Sequence, residues 1–240
     1  MSSKSIMKTI YHHTLQPLIR KIINGITSTP KESVIKLAMQ FASQCNQGGD
    51  YWEFGVYKGA SFISAFKCNK NLPRLNDMTF VAFDSFEGLP ELDEQDDPHN
   101  YTLFEKGKYS FSMDDFRKTL ISQKIDINRV KLIPGWYDES LTDKTFEVNS
   151  LKLPAVIMVD CDLYSSTQLV LRFITKYIRQ GTVIIFDDWF TSLNYQDEGE
   201  QRAVKEWLEQ NLHISLTEYY KYSYHGISFI VNVKKDISSS

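Results

Sequence analysis

The sequence is poor in the patterns that assign a function at a glance. It has three cysteines, Cys45, Cys68 and Cys161, and no C-x-x-C pair, so neither a disulfide framework nor a zinc knuckle is indicated. A reducing, cytoplasmic setting fits that usage. No apolar run is long enough for a membrane span. The first stretch, MSSKSIMKTIYHHTLQPLIRKIINGI, breaks its apolar positions with Lys, Arg and Pro17, unlike the core of an export signal. An excess of positive charge is missing too. The 27 Lys and Arg face 30 Asp and Glu, a net charge of -3, which removes the general electrostatic reason to bind nucleic acid and favours a small or neutral partner. Among the histidines, His12, His13, His99, His213 and His225 show no H-x-x-H or H-E-x-x-H spacing and read as surface or structural. Finally, there is no G-x-G-x-x-G and no G-x-x-x-x-G-K-[ST], which disfavours NAD and ATP.

What is present is an alternation. Apolar runs at Tyr51 to Phe54, Thr79 to Phe83, Val130 to Ile133, Ala155 to Val159 and Thr182 to Phe186 are interleaved with helix-like segments at Ala60 to Asn69, Met113 to Gln123, Ser166 to Arg179 and Glu200 to Asn211. Strands apolar on both faces and alternating with helices predict an α/β domain with a parallel sheet covered on each side. Two closing runs, His213 to Tyr220 and Ile227 to Val233, predict an antiparallel C-terminal pair. Residues 1–50 read as a helical N-terminal extension whose amphipathic spacing (Ile6, Ile10, Leu15, Leu18, Ile19, Ile22, Ile23) suits packing on the domain, capping of a substrate or a homo-oligomer contact. Residues 51–240 form the main domain. Residues 87–112, EGLPELDEQDDPHNYTLFEKGKYSFS, are polar, acidic and long for a connection, and read as a mobile lid.

Ligands of open α/β sheets bind beyond the carboxyl ends of the strands. Here acids follow four of the five runs: Glu53 within the first, Asp84 after the second, Asp160 and Asp162 after the fourth, Asp187 and Asp188 after the fifth. An apolar strand ending in two carboxylates, VIIFDDWF, requires a solvated turn or a cation to join them. In EFGVYKGAS, Gly55 and Gly59 permit a tight turn into the next helix, with Val56, Tyr57 and Ser61 between and after them. Asp84 stands where an acid can accept hydrogen bonds from ribose hydroxyls. A glycine turn plus a ribose acid, without a dinucleotide or phosphate loop, leaves S-adenosylmethionine as the cofactor. Trp136, in PGWYDES, is placed to line the adenine pocket. Trp189 is open to two readings, a stacking platform for a sugar ring or a core aromatic. Cys161 reads as a small buried residue rather than a nucleophile.

The segments EFGVYKGAS, FDSFEGLPE, VDCDLYSST, FDDWF and GEQRAVKEWL, in this order and spacing, resemble the macrocin O-methyltransferase family of class I S-adenosylmethionine-dependent enzymes, which methylate sugar hydroxyls. The likeness runs from about Tyr51 to Val233. It implies a Rossmann-like class I fold with a mostly parallel seven-stranded sheet. The first motif is also similar to that of catechol O-methyltransferase, which implies that Glu53, Gly55, Tyr57, Gly59 and Ser61 hold the cofactor. The family resemblance further implies that Asp160, Asp187 and Asp188 hold a divalent cation, magnesium first, and that Asp162 is the general base. Three carboxylates from neighbouring strand ends are a hard oxygen set suited to that ion. Catechol-type enzymes carry a Lys soon after the first metal Asp; DCDLYSS has none, which leaves Asp162 as the nearest proton acceptor. The expected acceptor is a small molecule or glycan with vicinal hydroxyls. Competing readings are a metal-dependent nucleotide-sugar glycosyltransferase using DCD as its D-x-D motif, an Asp-nucleophile phosphatase, and a partner subunit without catalysis.

Overall fold

A computed structural model describes residues 28–45, 47–96, 104–191 and 195–234. The amphipathic stretch from Ile6 to Ile23, together with His12, His13 and His99, lies outside them. The first described helix, α1 (Pro30–Gln44), is nucleated by a capping box: the Glu32 amide donates to the Thr29 hydroxyl at 3.1 Å while the Thr29 amide donates to the Glu32 carboxylate at 2.8 Å. Pro30 at the first helical position needs no amide partner. The apolar stripe Val34, Ile35, Ala38, Met39 and Ala42 is buried in the same cluster as Tyr51 and Phe62, so within the expected N-terminal extension this helix joins the core of the sheet.

Five strands follow the expected runs to within two residues: β1 (Asp50–Phe54), β2 (Phe80–Asp84), β3 (Val130–Pro134), β4 (Pro154–Val159) and β5 (Val183–Phe186). The closing pair is β6 (Ile214–Tyr222) and β7 (Gly226–Val233). They form one seven-stranded sheet in the order β3-β2-β1-β4-β5-β7-β6. The first five strands run parallel, and β7 joins β5 and β6 in antiparallel register. The helices α2 (Ala60–Asn69), α3 (Met113–Ser122) and α7 (Gly199–Gln210) match expectation; α6 spans Tyr164–Ile174, shorter than expected at its C-terminal end. There Thr175 turns its hydroxyl back to the Leu171 carbonyl at 2.7 Å and also accepts the Trp207 indole N–H at 2.7 Å, tying the helix end to α7. Two short helices, α4 (Tyr137–Ser140) and α5 (Asp143–Val148), were not expected, being too short to show a periodicity.

Strand alternation divides the core. Tyr51, Phe80, Val156 and Ile185 face α1, α2 and α3, whereas Trp52, Phe54, Phe83, Ile157 and Val159 face α6 and α7. On the second face Trp52 is fully buried and stacks on Phe173, with ring centroids 5.8 Å apart, while Phe54 stacks on Phe83 at 4.5 Å. Such burial dominates the driving force for folding and holds the strand ends in line.

The sheet order reverses between β1 and β4, and the chain after each strand stays in register with its neighbour. The Gly55 amide donates to the Phe83 carbonyl, the Gly135 amide to Asp84, the Asp160 amide to Phe54 and the Asp187 amide to Val159, at 2.9 to 3.0 Å. Gly55 has φ +83°, and a Cβ there would lie 1.9 Å from the Asp160 carbonyl oxygen, so only glycine permits the approach of these two segments. Gly55→Ala is expected to cost about 2–4 kcal/mol of unfolding free energy, read by urea denaturation of the ligand-free chain. Gly48→Ala is the control, since a Cβ there meets nothing within 4 Å.

Candidate active site

Beyond the carboxyl ends of the parallel strands lies a cavity of about 590 Å³, lined among others by Gly55, Tyr57, Asp84, Trp136, Asp160, Asp162, Asp187 and Asp188. It sits at the switch in strand order, where the loops after β1 and β4 diverge to opposite sides of the sheet and leave a crevice. Asp160, Asp187 and Asp188 each offer a carboxylate oxygen, and these atoms lie within 4.8 Å of one another. Asp162 follows in an unusual left-handed conformation, φ +63°, which turns its segment toward the cavity before α6 begins.

A cation already stands among them. Lys31, in the first turn of α1, places its ammonium 3.0 Å from Asp160 Oδ2 and 2.6 Å from Asp187 Oδ2. Asp187 also accepts the Tyr222 hydroxyl at 2.6 Å, and its carbonyl accepts His225 Nδ1–H at 2.6 Å. Behind Asp188 lies Glu200 of α7, 1% exposed, whose carboxylate accepts the Asp188 amide at 3.0 Å. Its Oε1 and Asp188 Oδ2 are both buried with no hydrogen-bond partner among the described residues. Crowding of carboxyls away from water shows in their proton affinities. Burial, then repulsion from Asp187, pushes Asp160 well above the usual carboxylate range, with Lys31 opposing. Asp188 and Glu200 are pushed up by burial first and neighbouring carboxylates second. Asp162 is pushed up to about 7 by burial, Asp160 and Asp187. Burial alone would lower Lys31, but Asp160 and Asp187 outweigh it and hold the ammonium charged.

The expected cofactor residues divide into two groups. Gly55, Tyr57, Asp84 and Trp136 line the cavity. Asp84 Oδ2 accepts the Val56 amide at 2.7 Å and Oδ1 accepts the Phe86 amide at 2.7 Å, so this acid fixes the turn after β1. Glu53, Val56, Gly59 and Ser61 are buried behind that turn, outside the cavity lining. Glu53 lies on the inner face of β1, fully buried, and accepts the Ser61 and Tyr51 hydroxyls at 2.6 Å each. A Cβ at Gly59 would meet the Phe116 ring at 2.8 Å. Trp189 packs against Phe186 and Phe229, with centroids 5.3 and 4.9 Å away, on the core side. Cys161 is buried, its sulfur 3.6 Å from the Thr167 hydroxyl. His213 is exposed, while His225, read from sequence as surface or structural, lines the cavity beside Asp187.

The described parts of the acidic connection are held at two places. Leu89 and Lys108 join through backbone hydrogen bonds at its base, as do Gly107 and Leu89. Further along, Asp96 accepts the amide and hydroxyl of Ser165, both at 2.9 Å, at the start of α6. Residues 97–103, the middle of the expected lid, lie outside the described residues. Four site residues escaped sequence reasoning: Lys31, Glu200, Tyr222 and His225. GEQRAVKEWL contains Glu200, and its apolar stripe marked a helix, yet no spacing joins it to Asp188.

The sequence matches the profile of the macrocin O-methyltransferase family over residues 32–216. It is 28% identical over 148 residues to mycinamicin III 3''-O-methyltransferase of Micromonospora griseorubida, covering 59% of this chain and 55% of that protein. It is 26% identical over 163 residues to demethyldecarbamoylnovobiocin O-methyltransferase of Streptomyces niveus, covering 67% and 60%. The chain thus spans little more than half the length of these relatives. The fold is similar to that of the O-methyltransferase NovP, with a TM-score of 0.67 and 19% identity over 86% of this chain and 80% of that one. The chain belongs to the macrocin O-methyltransferase family.

Burial holds Glu53 at about 7 rather than 4.5, against the opposing hydrogen bonds from Ser61 and Tyr51. The folded chain therefore binds this proton more tightly than the unfolded one, and the associated stability is complete below about pH 4.5 and lost as the pH rises through about 7. Glu53→Gln keeps the shape, and one hydroxyl can reverse to accept from the amide. It is expected to flatten the pH dependence of the ligand-free melting temperature between pH 5 and 8, a relative gain of up to about 3 kcal/mol at the alkaline end. Parallel curves for the two proteins would mean that the buried carboxyl does not titrate in this range.

Proposed function

We propose that this member of the macrocin O-methyltransferase family transfers a methyl group from S-adenosylmethionine to one hydroxyl of a sugar or related natural product, with a divalent cation, magnesium first, at Asp160, Asp187 and Asp188. The reading rests above all on one juxtaposition: the glycine turn after β1, Asp84 and the acid trio share a single crevice at the switch point. It draws on the family match and on relatives named for O-methyl transfer to antibiotic substrates.

The residues fit the two small molecules differently. Asp160, Asp187 and Asp188 form a hard oxygen set, and the orphaned Asp188 Oδ2 supplies a buried acceptor without another partner among the described residues. A bound divalent cation would supply positive charge that gathers two adjacent hydroxyls and acidifies one of them. For the cofactor, Gly55, Tyr57 and Asp84 line the cavity together, and the Asp84 carboxylate, fixed by the Val56 and Phe86 amides, is the acid that would accept ribose hydroxyls. Trp136 gives a flat apolar wall for the base. Glu53 and Ser61 act from behind by holding β1 to the start of α2.

Asp162 holds the proton-accepting oxygen. Its carboxyl lines the same cavity two residues after Asp160, beside the acids that would hold the cation, and so stands where a hydroxyl gathered there can give up its proton. Bound S-adenosylmethionine would supply its sulfonium methyl to the deprotonated acceptor oxygen and leave as S-adenosylhomocysteine, with the hydroxyl proton held on Asp162, and the chain contributes chiefly by positioning. Leu89, Pro90, Glu91 and Tyr109 of the acidic connection line the crevice, which supports a role for that connection in limiting water.

Calorimetric titration of S-adenosylhomocysteine is the primary test, and micromolar binding is expected. Absence of binding would turn attention to UDP-sugars and the D-x-D reading. Asp162→Asn is expected to leave that binding intact while lowering turnover about 100-fold or more. Chelation with EDTA is expected to abolish turnover on a vicinal-diol glycoside, and magnesium to restore it. Undiminished turnover by Asp162→Asn would remove the base assignment.

A further inference from the structure

Lys31 has no role in the function proposed so far, yet its ammonium stands among the acids at the centre of the site. Its ammonium is within hydrogen-bond distance of Asp160 Oδ2 and Asp187 Oδ2, two of the three carboxylates that would hold the divalent ion. An ammonium bridging two ligands at this range and a metal bound by the same oxygens would repel each other strongly in a partly desolvated pocket, so one must leave for the other to enter. The backbone of Lys31 cannot do the leaving. It lies in a helix turn fixed by the Thr29 and Glu32 capping box, with Val34 and Ile35 fully buried just beyond. The side chain can: it is 31% exposed, lines the cavity, and carries its charge on a flexible four-carbon stem. Lys31 also precedes the span 32–216 matched by the family profile, so membership of the family says nothing about it.

We propose that Lys31 is a tethered competitor of the divalent cation: its ammonium bridges Asp160 and Asp187 in the metal-free protein and swings into the cavity when the cation binds, so that Lys31 sets the affinity for metal. The arrangement keeps Asp160 and Asp187 partnered in both states. It also links metal occupancy to the cavity, because the displaced ammonium moves into space that an acceptor or the cofactor would share. This inference rests on the reading of Asp160, Asp187 and Asp188 as cation ligands.

The test uses Mn2+ alone as the probe, titrated into the full chain by calorimetry and by the loss of the free-ion electron paramagnetic resonance signal. Lys31→Met is expected to bind Mn2+ at least about tenfold more tightly than the unsubstituted protein, through removal of a competing charge. Lys31→Arg, which keeps a cation on the helix, is expected to show no such gain. Asp187→Asn is expected to remove binding in every background. Equal or weaker binding by Lys31→Met, with binding still lost in Asp187→Asn, overturns the role of Lys31 and leaves the metal reading standing. Failure of Mn2+ to bind either protein overturns both. Should Lys31→Met not fold by itself, Mn2+ must restore its circular dichroism spectrum, because the ion replaces the missing charge. A variant that stays unfolded in Mn2+ counts against the proposal.

Discussion

The structure is organised around a charge problem. Asp160, Asp162, Asp187, Asp188 and Glu200 converge at the ends of β4 and β5, and most of them are pushed toward their protonated forms by burial and mutual repulsion. Carboxylates in such surroundings persist only with partners. Around Asp187 the partners are specific: the Lys31 ammonium, the Tyr222 hydroxyl and, through the backbone carbonyl, His225. These come from α1, β6 and the turn before β7, so the charge cluster fastens both ends of the described chain to the middle of the sheet.

Rigidity of the site comes from the layer beneath it. The amide-to-carbonyl bonds that continue past the strands fix the spacing of Gly55, Asp160 and Asp187, and the aromatic stack of Trp52, Phe54, Phe83 and Phe173 fills the space below. Glu53 belongs to this layer. Its two hydroxyl partners, Tyr51 and Ser61, tie β1 to α2 from the inner face of the sheet, and the glycine turn above is presented without that carboxylate reaching the cavity. The chain thus separates the acids that support from the acids that face the crevice. Asp84 does both, bonding the Val56 amide while lining the cavity.

The acidic connection adds a second use of carboxylate chemistry. Asp96 satisfies an orphan amide at the start of α6, as an N-terminal cap would, and does so from a segment 69 residues away in sequence. This places Asp96 against the helix that begins two residues after Asp162.

Much of the fold was legible in the sequence because its causes are local. Strand and helix periodicity is carried by consecutive residues, and the boundaries of β1, α2 and α3 follow from it to within a residue. The acids were legible for a related reason: strand ends in a parallel sheet point to one edge, so Asp84, Asp160, Asp162, Asp187 and Asp188 had to converge once the strands were recognised. Which acids turn inward to support and which face the crevice was not legible, because that depends on which face of β1 each residue occupies and on what packs there. Lys31 was invisible for the same reason. Its partners lie 129 and 156 positions away in sequence, and only the docking of α1 on the sheet, decided by burial of Val34, Ile35 and Met39, carries its ammonium to them. The sequence by itself determined the elements and the chemistry at their ends, because neighbouring residues set both. The tertiary structure alone decided the partners of that chemistry, because charge pairing depends on distance in space, and packing of distant segments sets that distance.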